Sequence, residues 1–298
     1  MKSTLQRARS VAVVTPTAIG DSLLMMVLVN NLIRNGYRPV VVSWVVADLA
    51  AWFPGVVVHA GHECAAQFDL VIQLRATDAG RALSIDGTVC ELVQLPSFNE
   101  PEHMIDKLVG VAQHAFGLSY LTRHNGIALP PHIRFRLFEH RVAIHPTGSH
   151  AEKIWPRKKF AGLAEKLLQQ GLNASFLVAP AEKSEWLADD AVASSVQSFA
   201  KLGDVAQWIA ESGWFIGNDS GLGHLASALD VPTVSLFMRR GLARTWRPAW
   251  GRGAVVLPRN VFVSAYLKER FWKLGLSVQR VVQSFERLKT DKAASKAS

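Results

Sequence analysis

The sequence predicts an α/β protein built from two similar halves, each a parallel sheet flanked by helices. Three observations carry this. Short runs rich in β-branched residues alternate with longer segments of helical period along most of the chain. The pattern restarts after "LPPHIRFRLFEHR", which divides the chain into residues 1–138 and 139–298. The 298 residues are 49% hydrophobic and 19% charged, enough apolar material for two cores and too little charge for a disordered chain.

In the first half, "SVAVVT" reads as a buried strand. "DSLLMMVLVNNLIRNG" reads as a helix with Asp21 near its start and Gly36 at its stop. "RPVVVSW" is the next strand, "VADLAAWF" a helix, "GVVVHA" and "FDLVIQL" strands, and "EHMIDKLVGVAQHAFGL" a long helix. In the second half, "RVAIHP" is a strand. "PRKKFAGLAEKLLQQGL" is a helix with Phe160, Leu163, Ala164 and Leu167 on one face. Then follow strand "NASFLVAP", helix "VAQWIAES", strand "WFIGN", helix "GLGHLASAL" and strand "PTVSLF". A helix is expected from about Ser264 to Lys289, and "KTDKAASKAS" reads as a frayed tail. Two such Rossmann-like halves are expected to face a cleft, with ligands beyond the carboxyl ends of the strands.

The bulk properties narrow the partners. A net charge of +9 favours anionic ones: phosphorylated substrates, anionic lipid or nucleic acid. The two cysteines, Cys64 and Cys90, lack metal-ligand spacing, and a reducing compartment suits them. The apolar run near the start is too short for a secretory signal. "PVVVSWVVADLAAWFPGVVV" is interrupted by Asp48, Pro54 and Gly55, so it reads as strand–helix–strand rather than a membrane span. The expectation is a cytoplasmic protein, with attachment to the cytoplasmic face of the inner membrane left open.

Three strand ends carry unusual chemistry. In "TPTAIGDS", Asp21 stands where a strand hands over to a helix. It suits a helix cap or a general base. In "HPTGSHAEKIWP", Thr147, Gly148 and Ser149 form a small polar loop, and Lys153 adds positive charge. That is either an ordinary loop or an anion site, and the spacing is not that of a P-loop. In "GNDSGLGHLASALDVPTVSLF", Asp219 and Ser220 can cap a helix whose first amides would face a phosphate, with His224 one turn inside. Gly221 and Gly223 would keep side chains clear of such a ligand. Asp219 itself would repel a diphosphate and is expected to brace the loop.

These segments, with "AIGDSLL" and "VAPAEK", fall in the order and spacing of glycosyltransferase family 9, the lipopolysaccharide heptosyltransferases. The chain resembles that family from about residue 11 to residue 237. The resemblance implies a GT-B fold: an N-terminal acceptor-binding domain and a C-terminal domain holding a nucleotide sugar, usually ADP-heptose. The last helix is a candidate to pack back on the N-terminal domain. It implies inverting transfer without a metal or other cofactor. Asp21 matches the family's proposed base, Lys153 a lysine near the donor phosphates, and Glu182 an acidic residue at the nucleoside. Asp219, Ser220, Gly221 and His224 match its phosphate-binding turn, and Thr147, Gly148 and Ser149 are candidate donor-binding residues beside Lys153.

The chain departs from the family after "VSLF". A Gly-Pro-Thr type turn is replaced by "MRRGLARTWRPAWGRG". Arg239, Arg240 and Arg244 are candidate contacts to a phosphorylated saccharide or lipid-linked acceptor. A solvated loop with inward-packed tryptophans is the competing reading, and no nucleic-acid fold signature accompanies the stretch. A nucleotide-sugar epimerase and a non-catalytic nucleotide-binding relative remain alternatives for the whole chain.

Overall fold

The computed structural model describes residues 1–259, save 62, 101 and 191, and residues 271–296, of which the side chains of 291–296 are not described. Two compact units emerge, Met1–Pro130 and Pro131–Ser298.

The N-terminal unit holds a five-stranded parallel sheet. Its strands are β1 (Val11–Val14), β2 (Val40–Val42), β3 (Val57–His59), β4 (Leu70–Gln73) and β5 (Val89–Glu91), in the order β3-β2-β1-β4-β5. Its helices are α1 (Lys2–Arg7), α2 (Ile19–Arg34), α3 (Trp44–Ala47), α4 (Asp78–Ala82) and α5 (Met104–Gly110). β1 and β4 are almost wholly buried, as the unbroken apolar runs "VAVV" and "LVI" require of strands covered on both faces. α2 stops at Asn35, and Gly36 follows at φ 86°, a left-handed conformation that glycine adopts without strain. Two asparagines of α2 fasten the segment leading out of the unit. Asn31 exchanges two hydrogen bonds of 2.8 Å with the backbone of Thr122, and Asn35 accepts from Ser119 and Tyr120.

Helix α3 corrects the sequence expectation. The stretch expected as one helix from Val46 to Phe53 is instead a single turn starting at Trp44 and a 3-10 turn at Ala50–Trp52. The cause is Ser43, whose Oγ accepts the Val46 amide at 3.0 Å and so starts the helix early.

The C-terminal unit holds a six-stranded parallel sheet: β6 (Phe138–His145), β7 (Asn173–Leu177), β8 (Val196–Gln197), β9 (Ser212–Asn218), β10 (Thr233–Leu236) and β11 (Gly253–Val256). The order is β11-β10-β9-β6-β7-β8. Around it lie α6 (Arg157–Leu168), α7 (Lys183–Leu187), α8 (Leu202–Ala210), α9 (Gly221–Ala228), α10 (Arg240–Trp246) and a C-terminal helix, Val278–Lys296. Phe160, Leu163 and Leu167 of α6 are fully buried, each contributing about 1.5–3 kcal/mol by the usual transfer arithmetic. The C-terminal helix adds Val281, Phe285 and Leu288 to the same core, with the Phe285 ring 5.2 Å from Trp214. It therefore packs on its own unit. The part of the expected helix at 264–270 lies outside the described residues. The "MRRGLARTW" stretch, expected as a turn or loop, contains the helix α10. Among the described residues no helix is long and apolar enough to cross a membrane.

Candidate active site

In the C-terminal unit, register alone brings the two polar loops together. β6 pairs with β9 so that His145 lies opposite Gly217, and the loops "PTGS" and "DSG" leave adjacent strand ends. Asn218, the last residue of β9 and 1% exposed, joins them. Its Oδ1 accepts the Trp155 amide at 3.1 Å, and its Nδ2 donates to the carbonyls of Pro146 at 2.8 Å and Thr147 at 3.3 Å. Trp155 is itself fully buried, and its indole donates to the Leu276 carbonyl at 3.0 Å. The loop carrying Lys153 is thus held at both ends.

Lys153 Nζ lies 3.5 Å from Asp219 Oδ2. The lysine is a third exposed and the carboxylate less so. Burial raises the Asp219 carboxyl above its ordinary range, and Lys153 opposes the shift. The folded chain therefore holds this proton more tightly than the unfolded one. The resulting stabilisation is full below the unfolded value of about 3.9 and is lost as pH rises through the folded value. Asp219→Asn is accordingly expected to raise the melting temperature at pH 7, because it removes a carboxyl whose charged form burial disfavours. The gain should vanish toward pH 4 in thermal melts across that range.

Ser220 is the residue before α9, in extended geometry. The sequence suggests a side-chain cap there, and the structure corrects this: Ser220 Oγ makes no capping bond and is buried with no partner among the described residues. Of the first amides of α9, those of Gly221 and Leu222 have no partner within the helix, while that of Gly223 donates to the Ser220 carbonyl at 3.1 Å. Gly223 is not essential for clearance, because a Cβ there would meet only ordinary contacts, the nearest 3.5 Å away. His224 is buried inside the helix, its ring 6.2 Å from that of Trp250. Trp250 is in turn held by Ser227, whose Oγ accepts its amide at 3.0 Å. This tryptophan packs inward, as one reading of the Arg/Trp stretch anticipates.

The other candidate residues of this unit are more dispersed. Thr147 is buried and Gly148 half-buried, while Ser149 is exposed and bonded to His150 Nδ1 at 2.8 Å. Glu182 follows β7, and its Oε2 accepts the Ala179 amide at 3.0 Å, closing its own turn. Arg239 and Arg240 line a cavity of about 640 Å³ with Arg259 and Arg280. Arg244 is exposed on α10 and does not line that cavity.

In the N-terminal unit, Asp21 sits in the first turn of α2 and lines a cavity of about 940 Å³. The cavity opens at the carboxyl ends of β1, β2 and β4, where Thr15, Trp44 and Gln73 also line it. A buried hydroxyl chain fixes this corner. Thr15 Oγ1 lies 2.6 Å from Ser43 Oγ, and Ser22 Oγ donates to the Pro16 carbonyl at 2.5 Å and lies 3.1 Å from Thr15 Oγ1. Ser22 is the neighbour of Asp21, so the chain sets the pitch of the helix start that carries the carboxylate. Cys64 borders this cavity and Cys90 is buried; both are free thiols. Among the described residues no group of His, Cys, Asp and Glu is arranged to hold a metal ion.

Sequence reading gave no role to Asn218 or Gln73. Both end otherwise apolar strands, "WFIGN" and "DLVIQ", and a buried amide at a strand's carboxyl end was the available signal.

A helix start with two unpartnered amides, an orphan hydroxyl and a nearby lysine, on a parallel sheet, is an arrangement whose chemistry suits an anion in an α/β protein. The family model of glycosyltransferase family 9 (heptosyltransferase) matches residues 96–260, and the chain belongs to that family. Lipopolysaccharide heptosyltransferase 1 of Pseudomonas aeruginosa is 34% identical over 99 residues, 32% of this chain and 28% of that protein. The match thus spans less than a third of that relative's length. Among solved structures, E. coli heptosyltransferase WaaC with ADP is similar at a TM-score of 0.72 and 16% identity, over 94% of this chain and 100% of the other. E. coli ADP-heptose heptosyltransferase II gives 0.68 and 17%, over 95% and 99%. The fold is therefore GT-B, with two Rossmann-like units.

Proposed function

We propose that the protein is an inverting glycosyltransferase that moves a sugar, heptose from ADP-heptose, to a saccharide of the lipopolysaccharide inner core or a related phosphorylated or lipid-linked acceptor. The observation that carries the reading is the orphan Ser220 hydroxyl at the start of α9, beside the Lys153–Asp219 pair. A buried hydroxyl without a partner is costly unless a ligand satisfies it.

In the proposed reaction the acceptor oxygen attacks the anomeric carbon from the side opposite the nucleoside diphosphate. The new C–O bond forms as the bond to the phosphate oxygen breaks, and the acceptor proton passes to Asp21. The leaving diphosphate gathers charge, which the α9 amides, Ser220 and Lys153 stabilise. Thr147, Gly148 and Ser149 border the phosphates, Glu182 the nucleoside, and His224 supports the turn from inside the helix. Arg239, Arg240 and Arg244 supply positive charge for an anionic acceptor. The net charge of +9 supports anionic substrates and peripheral contact with an anionic membrane face.

The test is incubation with a panel of nucleoside-diphosphate sugars and core-oligosaccharide fragments, read by mass spectrometry, with and without a chelator. Transfer that survives the chelator, with inverted configuration, is the expected result. An epimerised donor without acceptor would favour the epimerase alternative, and nucleotide binding without turnover the non-catalytic one. Lys153→Met removes a charge-assisted contact valued at about 1.5–3 kcal/mol, so the donor KM should rise about 10–100-fold. An unchanged donor KM would detach Lys153 from the phosphates.

A further inference from the structure

Gln73 is the unexplained group in the N-terminal unit. It ends β4, is 1% exposed and lines the Asp21 cavity. Its Oε1 accepts from Thr77 Oγ1 at 3.2 Å, while its Nε2 is buried with no partner among the described residues. The fold makes room for this amide: a Cβ on Gly80 would come within 2.1 Å of Gln73 Oε1. Trp44, on the same cavity, is seated in a similar way. A Cβ on Gly61 would come within 2.7 Å of its Nε1, yet the side chain as a whole stays 52% exposed.

Register sets the distances. Gln73 and Val42 both pair with Val14, so the three residues form one row across β4, β1 and β2. Two inter-strand spacings make that row about 10 Å wide, the width of one sugar ring with its hydroxyls. Asp21 rises from the helix after the middle strand, Gln73 from one flank, and Trp44 lies two residues past Val42 on the other. Much of the remaining wall is apolar, including Val14, Leu74, Ala79 and Leu83. Among the described residues, Asp21 and Arg75 are the charged side chains lining it, one of each sign. A ligand bearing several anionic groups would face the Asp21 carboxylate with a single compensating cation among the described lining residues.

We propose that this cavity selects an uncharged pyranose ring of the acceptor, with Gln73 Nε2 donating to a ring hydroxyl or ring oxygen and the Trp44 indole against the apolar face of the sugar. Gln73 is then a specificity-determining residue for the acceptor. Any phosphate on the acceptor lies outside this ring. The inference rests on the glycosyltransferase reading for the word acceptor, but its binding step is separable from turnover.

The test is saturation-transfer NMR on the full chain with three probes: the methyl glycosides of a neutral hexose and a neutral heptose, and the same hexoside carrying a phosphate monoester. Wild-type protein should bind at least one neutral glycoside. Gln73→Met and Trp44→Ala should each weaken that binding at least fivefold, with Trp44→Phe closer to wild type. Gln73→Met should melt no lower than wild type, because it removes a buried donor that lacks a partner; this separates loss of a ligand contact from loss of fold. Wild-type affinity in Gln73→Met, absence of binding to both neutral probes, or tighter binding of the phosphorylated one would overturn the inference. Glycoside binding through Gln73 in a protein that transfers no sugar would instead defeat the proposed reaction and leave this site standing.

Discussion

Replacing Asp21 by Asn is expected to lower turnover by about 10²–10⁴-fold, the usual contribution of a positioned general base. The two side chains have nearly the same shape, so the cavity and the start of α2 should persist. A carboxylate in the first turn of a helix gains about 0.3–1 kcal/mol from the backbone dipole, and the Asn variant gives up that small stabilisation. A sugar hydroxyl remains protonated at neutral pH, so an amide that cannot accept its proton leaves the attack uncatalysed. The nucleotide-binding groups proposed here all belong to the other unit, and the dissociation constant for a nucleoside diphosphate should stay within about twofold of wild type, an energy difference of only a few tenths of a kcal/mol. Single-turnover transfer and calorimetry on the same preparation separate the two effects. Turnover close to wild type in the Asn variant would remove Asp21 from the chemistry. A parallel loss of nucleotide affinity would show that the substitution disturbs more than proton transfer.

Much of this fold was legible because its long strands are buried on both faces and carry unbroken apolar runs. Val11–Val14, Leu70–Gln73 and Ser212–Asn218 are of this kind. Val89–Glu91 and Val196–Gln197 were not read as strands because neither carries a run of β-branched residues like the valines that mark the equally short Val40–Val42. Gly253–Val256, which begins where the Arg/Trp stretch ends, was not read as a strand, although its backbone extends the sheet beyond β10. Helix α3 was misplaced because Ser43 acts as a cap only once Thr15, far away in sequence, holds its hydroxyl. The candidate site divides in the same way. Lys153, Asp219 and Ser220 announce themselves as polar residues clustered between apolar segments. Gln73 does not, because its meaning depends on which strands flank β1, and pairing order is a tertiary property. The Ser220 hydroxyl shows the limit of local rules: its residue type predicts a cap, yet the extended backbone leaves the oxygen unbonded within the described chain.

Asn218→Ala is expected to be the most destabilising substitution at the donor turn. The side chain makes three hydrogen bonds in a space closed to solvent, one to the Trp155 amide and two to the carbonyls of Pro146 and Thr147. Truncation strands a buried N–H and two buried carbonyls and leaves a small void. Unsatisfied buried groups cost about 1–3 kcal/mol each, but the loop can relax and the Thr147 bond is long, so a total of about 2–4 kcal/mol is expected. For a unit of this size that lowers the melting temperature by roughly 5–15 °C. Asn218→Asp is the sharper comparison. It keeps the acceptor for Trp155 but turns the donor into an oxygen facing two carbonyls, and it places a carboxylate near the one that Lys153 neutralises. The Asp variant should therefore be no more stable than the Ala variant at pH 7 and should recover as pH falls and the new carboxyl protonates. Nucleotide affinity should drop in both, because Lys153 and the α9 turn would no longer be held in register. If the Ala variant melts and binds nucleotide like wild type, Asn218 does not join the two loops in solution. The lysine and the helix start would then be positioned by the backbone alone.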